Sequence, residues 1–180
     1  LLVNSVVFEP KLPENFTQLA KTTHTWMGES IKFAVEYKTP FWKQNHYSGT
    51  IFSQASIIQE MYDHSTATNC GVALKGFLNV GTAVLSKEDR KEKAIAQLTA
   101  FFGLEATDYV AYYENVWREE PLTFQPYEQL VLAHQNNGHS LFKNPLLNEK
   151  LYVSGAETAT QSPGYMNGAI FAAKTLASQF

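Results

Sequence analysis

Residues 163–169 read Pro-Gly-Tyr-Met-Asn-Gly-Ala, a turn that delivers Tyr165 and then opens a helix of small residues. The unpaired N–H groups and partial positive charge of such a helix start suit a ligand that carries negative charge. Gly168, Ala169, Ala172 and Ala173 would keep the first turns slim enough for something flat to approach the backbone. Tight packing of an alanine-rich helix on a sheet would use the same residues, and composition alone leaves both readings open. Other candidates carry less. His134 and His139 lie five apart in a polar loop, a spacing that fits no helix face, so they read as solvated loop residues and not as metal ligands. Glu119 and Glu120 are sequence neighbours, and neighbours on a strand point to opposite faces, which argues against a paired-carboxylate site. Cys70 sits in Thr-Asn-Cys-Gly-Val with no base beside it. No G-x-G-x-x-G or Walker pattern occurs, so these residues offer no pyrophosphate grip of their own.

Positioning the candidate site falls to a series of strands followed by helices. Residues 31–38 alternate, with Ile31, Phe33, Val35 and Tyr37 on one face and Lys32, Glu36 and Lys38 on the other. That is a half-buried strand of an antiparallel sheet. Two short strands follow within 49–54 and 57–65, and another at 72–80, whose interior Gly76 predicts a bulge or a close backbone approach. Ser86 caps a helix that ends at Gly103, with Asp89 three residues on and an apolar stripe of Ile95, Leu98 and Phe102. Residues 108–117 are apolar on both faces and predict a central strand, and 151–153 predict a short buried one. The opening residues look strand-like, and a short helix is expected over about 14–22. Little βαβ alternation appears, so the fold class is α+β with a mainly antiparallel mixed sheet and flanking helices. No repeat or linker divides the chain, and the residues alone predict one compact unit.

Composition narrows the function. Charged residues make up 17% and hydrophobic residues 44% of 180, the balance of a globular protein with a sizeable core. A net charge of -3 without a basic cluster gives no footprint for nucleic acid. One cysteine excludes an internal disulfide and fits a reducing compartment, so a cytoplasmic location is expected. No apolar run approaches the length of a membrane span. Twelve Phe, nine Tyr and three Trp predict a large aromatic core, an aromatic-lined pocket, or both.

The stretch 151–173, "LYVSGAETATQSPGYMNGAIFAA", resembles the C-terminal flavin-binding motif of the flavin-containing amine oxidases, the family of the monoamine oxidases and their bacterial relatives. In that family a hydrophobic strand leads into A-G-T-E-T-A, then G-Y-M-x-G-A and a helix. Here the counterparts are Ser154 to Ala159 and Gly164 to Ala169. Residues 6–13, 31–50, the helix after Ser86 and "YYENVWREEPLTFQPY" are similar, in order, to further segments of the same family. The resemblance implies a substrate-binding domain over 1–117 and, over 118–180, a return segment to the flavin domain. It also implies that the chain is a fragment without the dinucleotide-binding N-terminal part, inactive alone, with that part as its partner and an amine as substrate. A homo-oligomer is a further expectation.

Carried over residue by residue, the resemblance makes Tyr127 and Tyr165 the rings that flank the substrate amine, where cation–π contact could act. It places Met166 at the flavin pyrimidine carbonyl, with Gly164 in the turn before it. Gly155, Ala156 and Glu157 fall along the ribityl–phosphate side, and Trp117 beside the ring system. FAD is the implied cofactor. Pro126 stands where the monoamine oxidases attach flavin through a cysteine, which implies non-covalent FAD. Ala156 replaces a threonine, and Ser5 stands in the place of a lysine that bridges through water to flavin N5. That last departure leaves oxidase and dehydrogenase chemistry both open. A non-catalytic binding or interaction domain that keeps the family's fold is the alternative.

Overall fold

The computed structural model describes residues 2–25, 27–68 and 70–180. The chain forms two compact units instead of the single one expected from the sequence: residues 29–119 form one, and residues 1–28 with 120–180 form the other. Local periodicity carries no sign that the first 28 residues group with the last 61, because that grouping is made by long-range packing.

The unit of residues 29–119 is a five-stranded antiparallel sheet of β1 (Ile31–Tyr37), β2 (Ile51–Phe52), β3 (Ile58–Asp63), β4 (Val72–Leu78) and β5 (Tyr109–Val116), in the order β2-β3-β4-β1-β5. The alternation in β1 is borne out: Ile31, Phe33, Val35 and Tyr37 are buried, while Lys32 is exposed. β1 is a central strand, and β5, expected at the centre, lies at the edge. Its second apolar face is Val110 and Tyr113, both more than half exposed at 52% and 56%. Aromatic and β-branched residues suit any pleated surface, so their presence on both faces did not require burial. The close backbone approach expected at Gly76 holds, while the bulge falls on β3, opposite Leu78 and Phe77 and not at Gly76. A Cβ there would overlap the carbonyl oxygen of Glu60 and lie 2.7 Å from the Met61 Cα, and the β3–β4 register shifts between Ile58 and Glu60.

α1 (Leu2–Ser5) and α2 (Glu14–Lys21) belong to the other unit; between the strands of this one lie a turn of helix, α3 (Phe41–Gln44), and the long α4 (Lys87–Phe102). The Ser86 Oγ accepts the Asp89 N–H at 3.1 Å and donates to the Asp89 carboxylate at 2.6 Å, so the cap forms as expected. α4 buries Ala94, Leu98 and Phe102 in one core with Trp42, Phe33 and Leu74. Polar side chains are buried with them. Gln97 pairs both its amide atoms with the backbone of Ile58 at 2.7 and 3.1 Å. Arg90 donates to Glu114 of β5 at 2.7 Å, with side chains only 4% and 2% exposed, and also to the carbonyls of Thr82, Ala83 and Leu85. A buried ion pair needs such surrounding hydrogen bonds to offset its desolvation.

The other unit contains α1 (Leu2–Ser5), α2 (Glu14–Lys21) and α5 (Met166–Ala177). Its core gathers Phe16, Phe142 and Leu146, with Phe16 and Phe142 edge to face at 5.8 Å. Two expectations fail here. The strand-like opening is a helical turn followed by irregular chain, and Val7 is 96% exposed. Short apolar runs do not separate strand from helix by pattern alone. Residues 151–153 form no strand either: Leu151 makes one antiparallel bridge to Leu146, and Tyr152 and Val153 are half-buried. Three successive positive φ angles at Leu147, Asn148 and Glu149 close the loop between the bridged residues.

Candidate active site

Ser154 leaves that bridge and enters a turn built to hold its own shape. The Thr158 hydroxyl accepts the Gly155 N–H and donates to the Gly155 carbonyl, both at 3.0 Å. The Ala156 carbonyl accepts the N–H groups of Ala159 at 3.3 Å and Gly164 at 2.9 Å. The Glu157 carbonyl accepts the Gly138 N–H at 2.7 Å. Gly164 has φ +82°, the left-handed conformation that favours glycine, and the next residue, Tyr165, donates its N–H to the Ser162 carbonyl at 3.1 Å. The turn thus folds back on itself before α5 begins.

α5 starts at Met166, which is 86% exposed, and no side chain caps its N-terminus. The N–H groups of Met166, Asn167 and Gly168 have no helical carbonyl one turn back to bond. Gly168 is used by the fold itself, since a Cβ there would overlap the Ser162 carbonyl oxygen. Its small size therefore serves the turn that presents Tyr165, and not the approach of a flat ligand. Gly155 is the opposite case. Its backbone is fully extended at φ -178°, and among the described residues an added Cβ would meet only the tip of Glu157, at 3.6 Å. Nothing among the described residues requires glycine at 155. The residue lines a cavity of about 450 Å³ together with Ser154, Glu157, Thr158, Thr25 and Phe142. The uncapped start of α5 supplies free N–H donors, and the open Gly155 borders a cavity; both features suit an anionic, flat group such as a flavin nucleotide.

Tyr127 and Tyr165 belong to the same unit, joined by two histidines. The Tyr127 ring stacks on His24 at 6.1 Å and 22°, and the Tyr165 ring stacks on His134 at 6.1 Å and 15°. His24 and His134 meet edge to face at 6.4 Å, and Phe124 and Tyr127 also meet edge to face, at 6.0 Å. The Tyr127 hydroxyl accepts the Thr25 N–H at 2.9 Å. His134 is exposed in a turn, as expected of a solvated loop residue, and its ring is also a member of this ladder. His139 instead accepts the Leu141 N–H at its Nδ1, 3.1 Å away. Among the described residues no group of three or more His, Cys, Asp or Glu is placed to hold a metal ion. His24 had no local signal in the sequence, because Tyr127 and His134 lie more than a hundred residues away.

Trp117 lies in the unit of residues 29–119, where its N–H bonds the Ser30 carbonyl at 3.0 Å just after β5. Ser5 ends α1, and its hydroxyl accepts from the Gln125 side chain at 3.1 Å. No ammonium is present at that position.

Residues 2–179 match the family model described as flavin containing amine oxidoreductase. The chain belongs to that family. It is 30% identical over 184 residues to human amine oxidase [flavin-containing] B, covering 96% of this chain and 34% of the human protein. A putrescine oxidase solved with putrescine bound superposes with a TM-score of 0.80 at 27% identity, over 97% of this chain and 39% of that one. The cyclohexylamine oxidase of Brevibacterium oxydans IH-35A gives 0.81 at 26% identity, over 98% and 39%. The chain thus spans a little over a third of the length of these relatives. The antiparallel sheet with flanking helices agrees with the fold read from the sequence, and the flavin-containing amine oxidoreductase family carries the flavin expectation with it.

Proposed function

We propose that this chain supplies the amine-facing and flavin-capping part of an FAD-dependent amine oxidoreductase. The observation that carries the reading is the contrast at the turn before α5: Gly168 is required by the chain's own packing, whereas Gly155 is free of it and borders the cavity. A glycine that its own fold does not need, at the motif where the family holds its cofactor, is explained by a ligand that comes close to the backbone.

Bound FAD would supply a two-electron acceptor for the hydride leaving the carbon beside the amine, and water would hydrolyse the resulting imine. The residues of this chain do the rest. Tyr127 and Tyr165 present ring faces to the amine and orient it by shape and by attraction to its positive charge. The Met166 N–H and the α5 dipole favour negative charge on the ligand's pyrimidine side. Gly155, Ala156 and Glu157 border the ribityl–phosphate side, with Gly164 turning the chain into Tyr165. Trp117 is assigned to the flavin ring system on the family resemblance alone.

Pro126 offers no nucleophile, so the cofactor is held without a covalent bond. Ser5 carries no ammonium to order water at the flavin, which favours an electron acceptor other than oxygen. These 180 residues contain no glycine fingerprint for a pyrophosphate, so they are inactive alone and need a dinucleotide-binding part. α5 supports this with an exposed apolar stripe of Met166, Ile170, Ala173 and Ala177 that such a part would cover. The single, exposed Cys70 fits a reducing, cytoplasmic setting.

The test is to purify the full-length protein and precipitate it with acid. Yellow FAD released into the supernatant is the expected result. A colourless protein would overturn the cofactor assignment, and flavin retained in the pellet would overturn the non-covalent one.

A further inference from the structure

His24 touches both halves of the ring ladder. Its ring lies nearly parallel to Tyr127, its Nδ1 accepts the His134 N–H at 3.3 Å, and its own N–H bonds the Gln135 carbonyl at 3.2 Å. His134 in turn stacks on Tyr165. His134 also has φ +61°, a backbone conformation that a side chain other than glycine adopts only when its surroundings hold it there. His24 is 9% exposed, so this arrangement is anchored from inside the unit.

We propose that His24 is a positioning residue for the amine site: one imidazole sets Tyr127 directly and Tyr165 through His134. The inference rests on the reading that Tyr127 and Tyr165 face the amine. Histidine suits the task because it joins two properties. Accepting at Nδ1 leaves the proton of the neutral ring on Nε2, and the ring stays flat against the phenol. Phenylalanine would keep the plane and offer a C–H to the His134 amide. Glutamine would keep an acceptor and lose the plane. Two tyrosine faces recognise an amine only while their spacing and tilt are held, so the effect of His24 falls on amine recognition more than on the chemical step.

The test uses the full-length, flavin-loaded protein and three variants: His24→Phe, His24→Gln and His134→Gly. The last keeps the buried histidine and relaxes the backbone at 134, so it folds even where a His24 variant does not. Anaerobic flavin reduction by an amine gives a half-saturating concentration and a limiting rate. Removing one stack or one hydrogen bond should raise the half-saturating concentration about two- to twelvefold in His24→Phe and His134→Gly, with a smaller fall in the limiting rate. An unchanged half-saturating concentration in both variants would overturn the proposal. A purely structural role would lower the melting temperature and leave that concentration where it was. Amide exchange at His134 gives a readout independent of turnover. It should become about two- to twelvefold faster in His24→Phe and slow again in His24→Gln, since a lost hydrogen bond of ordinary strength is worth about that factor. Equal exchange in wild type and His24→Phe would refute the positioning role even if no amine ever reduces the flavin, an outcome that would instead count against the enzymatic reading.

Discussion

Substituting alanine at Gly155 and at Gly168 separates a glycine held for a ligand from one held for the fold. At 168 the new Cβ would overlap the Ser162 carbonyl oxygen, with the Ser162 carbonyl carbon at 3.0 Å and the Gln161 oxygen at 3.2 Å. All three are backbone atoms, so relief requires moving the turn and not a side chain. Overpacking of this kind costs about 1–3 kcal/mol. The displaced carbonyl is also the acceptor of the Tyr165 N–H, whose loss adds about 1 kcal/mol. Gly168→Ala is therefore expected to destabilise by about 2–4 kcal/mol. At 155 the extended backbone accepts any residue, and the nearest atom is the end of a flexible glutamate at 3.6 Å. Gly155→Ala should leave stability unchanged or raise it by up to about 1 kcal/mol, through reduced freedom of the unfolded chain. A methyl group facing the cofactor should nevertheless cost about 1–3 kcal/mol of binding, a loss of about five- to 150-fold in FAD affinity. Urea unfolding of the full-length apoprotein measures the first quantity, and fluorescence titration with FAD the second. The reasoning is refuted if Gly155→Ala destabilises as much as Gly168→Ala, or if it binds FAD like the wild type.

Three further outcomes are expected. Arg90→Met strands the buried Glu114 carboxylate and should cost about 3–5 kcal/mol, while Arg90→Met/Glu114→Leu should cost less than the single change; a double-mutant cycle in urea checks this. Gly76→Ala, forced against the backbone of Glu60 and Met61, should lower the unfolding midpoint, with a cost of at least about 1–3 kcal/mol, whereas Gly71→Ala, which meets only a methyl at 3.5 Å, should not. Burial raises the Asp63 carboxyl, but the Lys43 ammonium at 2.8 Å and the Ser65 N–H at 2.8 Å outweigh it and hold its pKa at about 2, below the ordinary value of about 3.9. A depressed folded pKa gives stability that is full above about pH 4 and lost as pH falls toward 2, so Asp63→Asn should flatten stability against pH in that window.

The strands that bury one face were legible because their side chains alternate, as in β1, and α4 was legible from its Ser86 cap and apolar stripe. β5 was misplaced at the centre because tyrosine and valine tolerate an exposed face, and only pairing decides between edge and centre. The opening residues were misread for a related reason: Val3 packs against the core of Phe16 and Phe142, contacts that no local pattern contains. The candidate site divides in the same way. The turn around Gly155, Gly164 and Tyr165 could be read directly, being contiguous. The ladder of Tyr127, His24, His134 and Tyr165 could not, since it joins three separate stretches of chain. Gly168 shows the limit within a contiguous motif. Its small size was visible, but what occupied the space was the chain's own Ser162.

The most direct measurement is anaerobic addition of primary amines, diamines and amino acids to the purified full-length protein, followed by its visible spectrum. Loss of the oxidised flavin bands with one amine class is the predicted result, and it would identify the substrate class in the same experiment. Flavin that stays oxidised with every amine, while a chemical reductant bleaches it, would contradict the proposed activity.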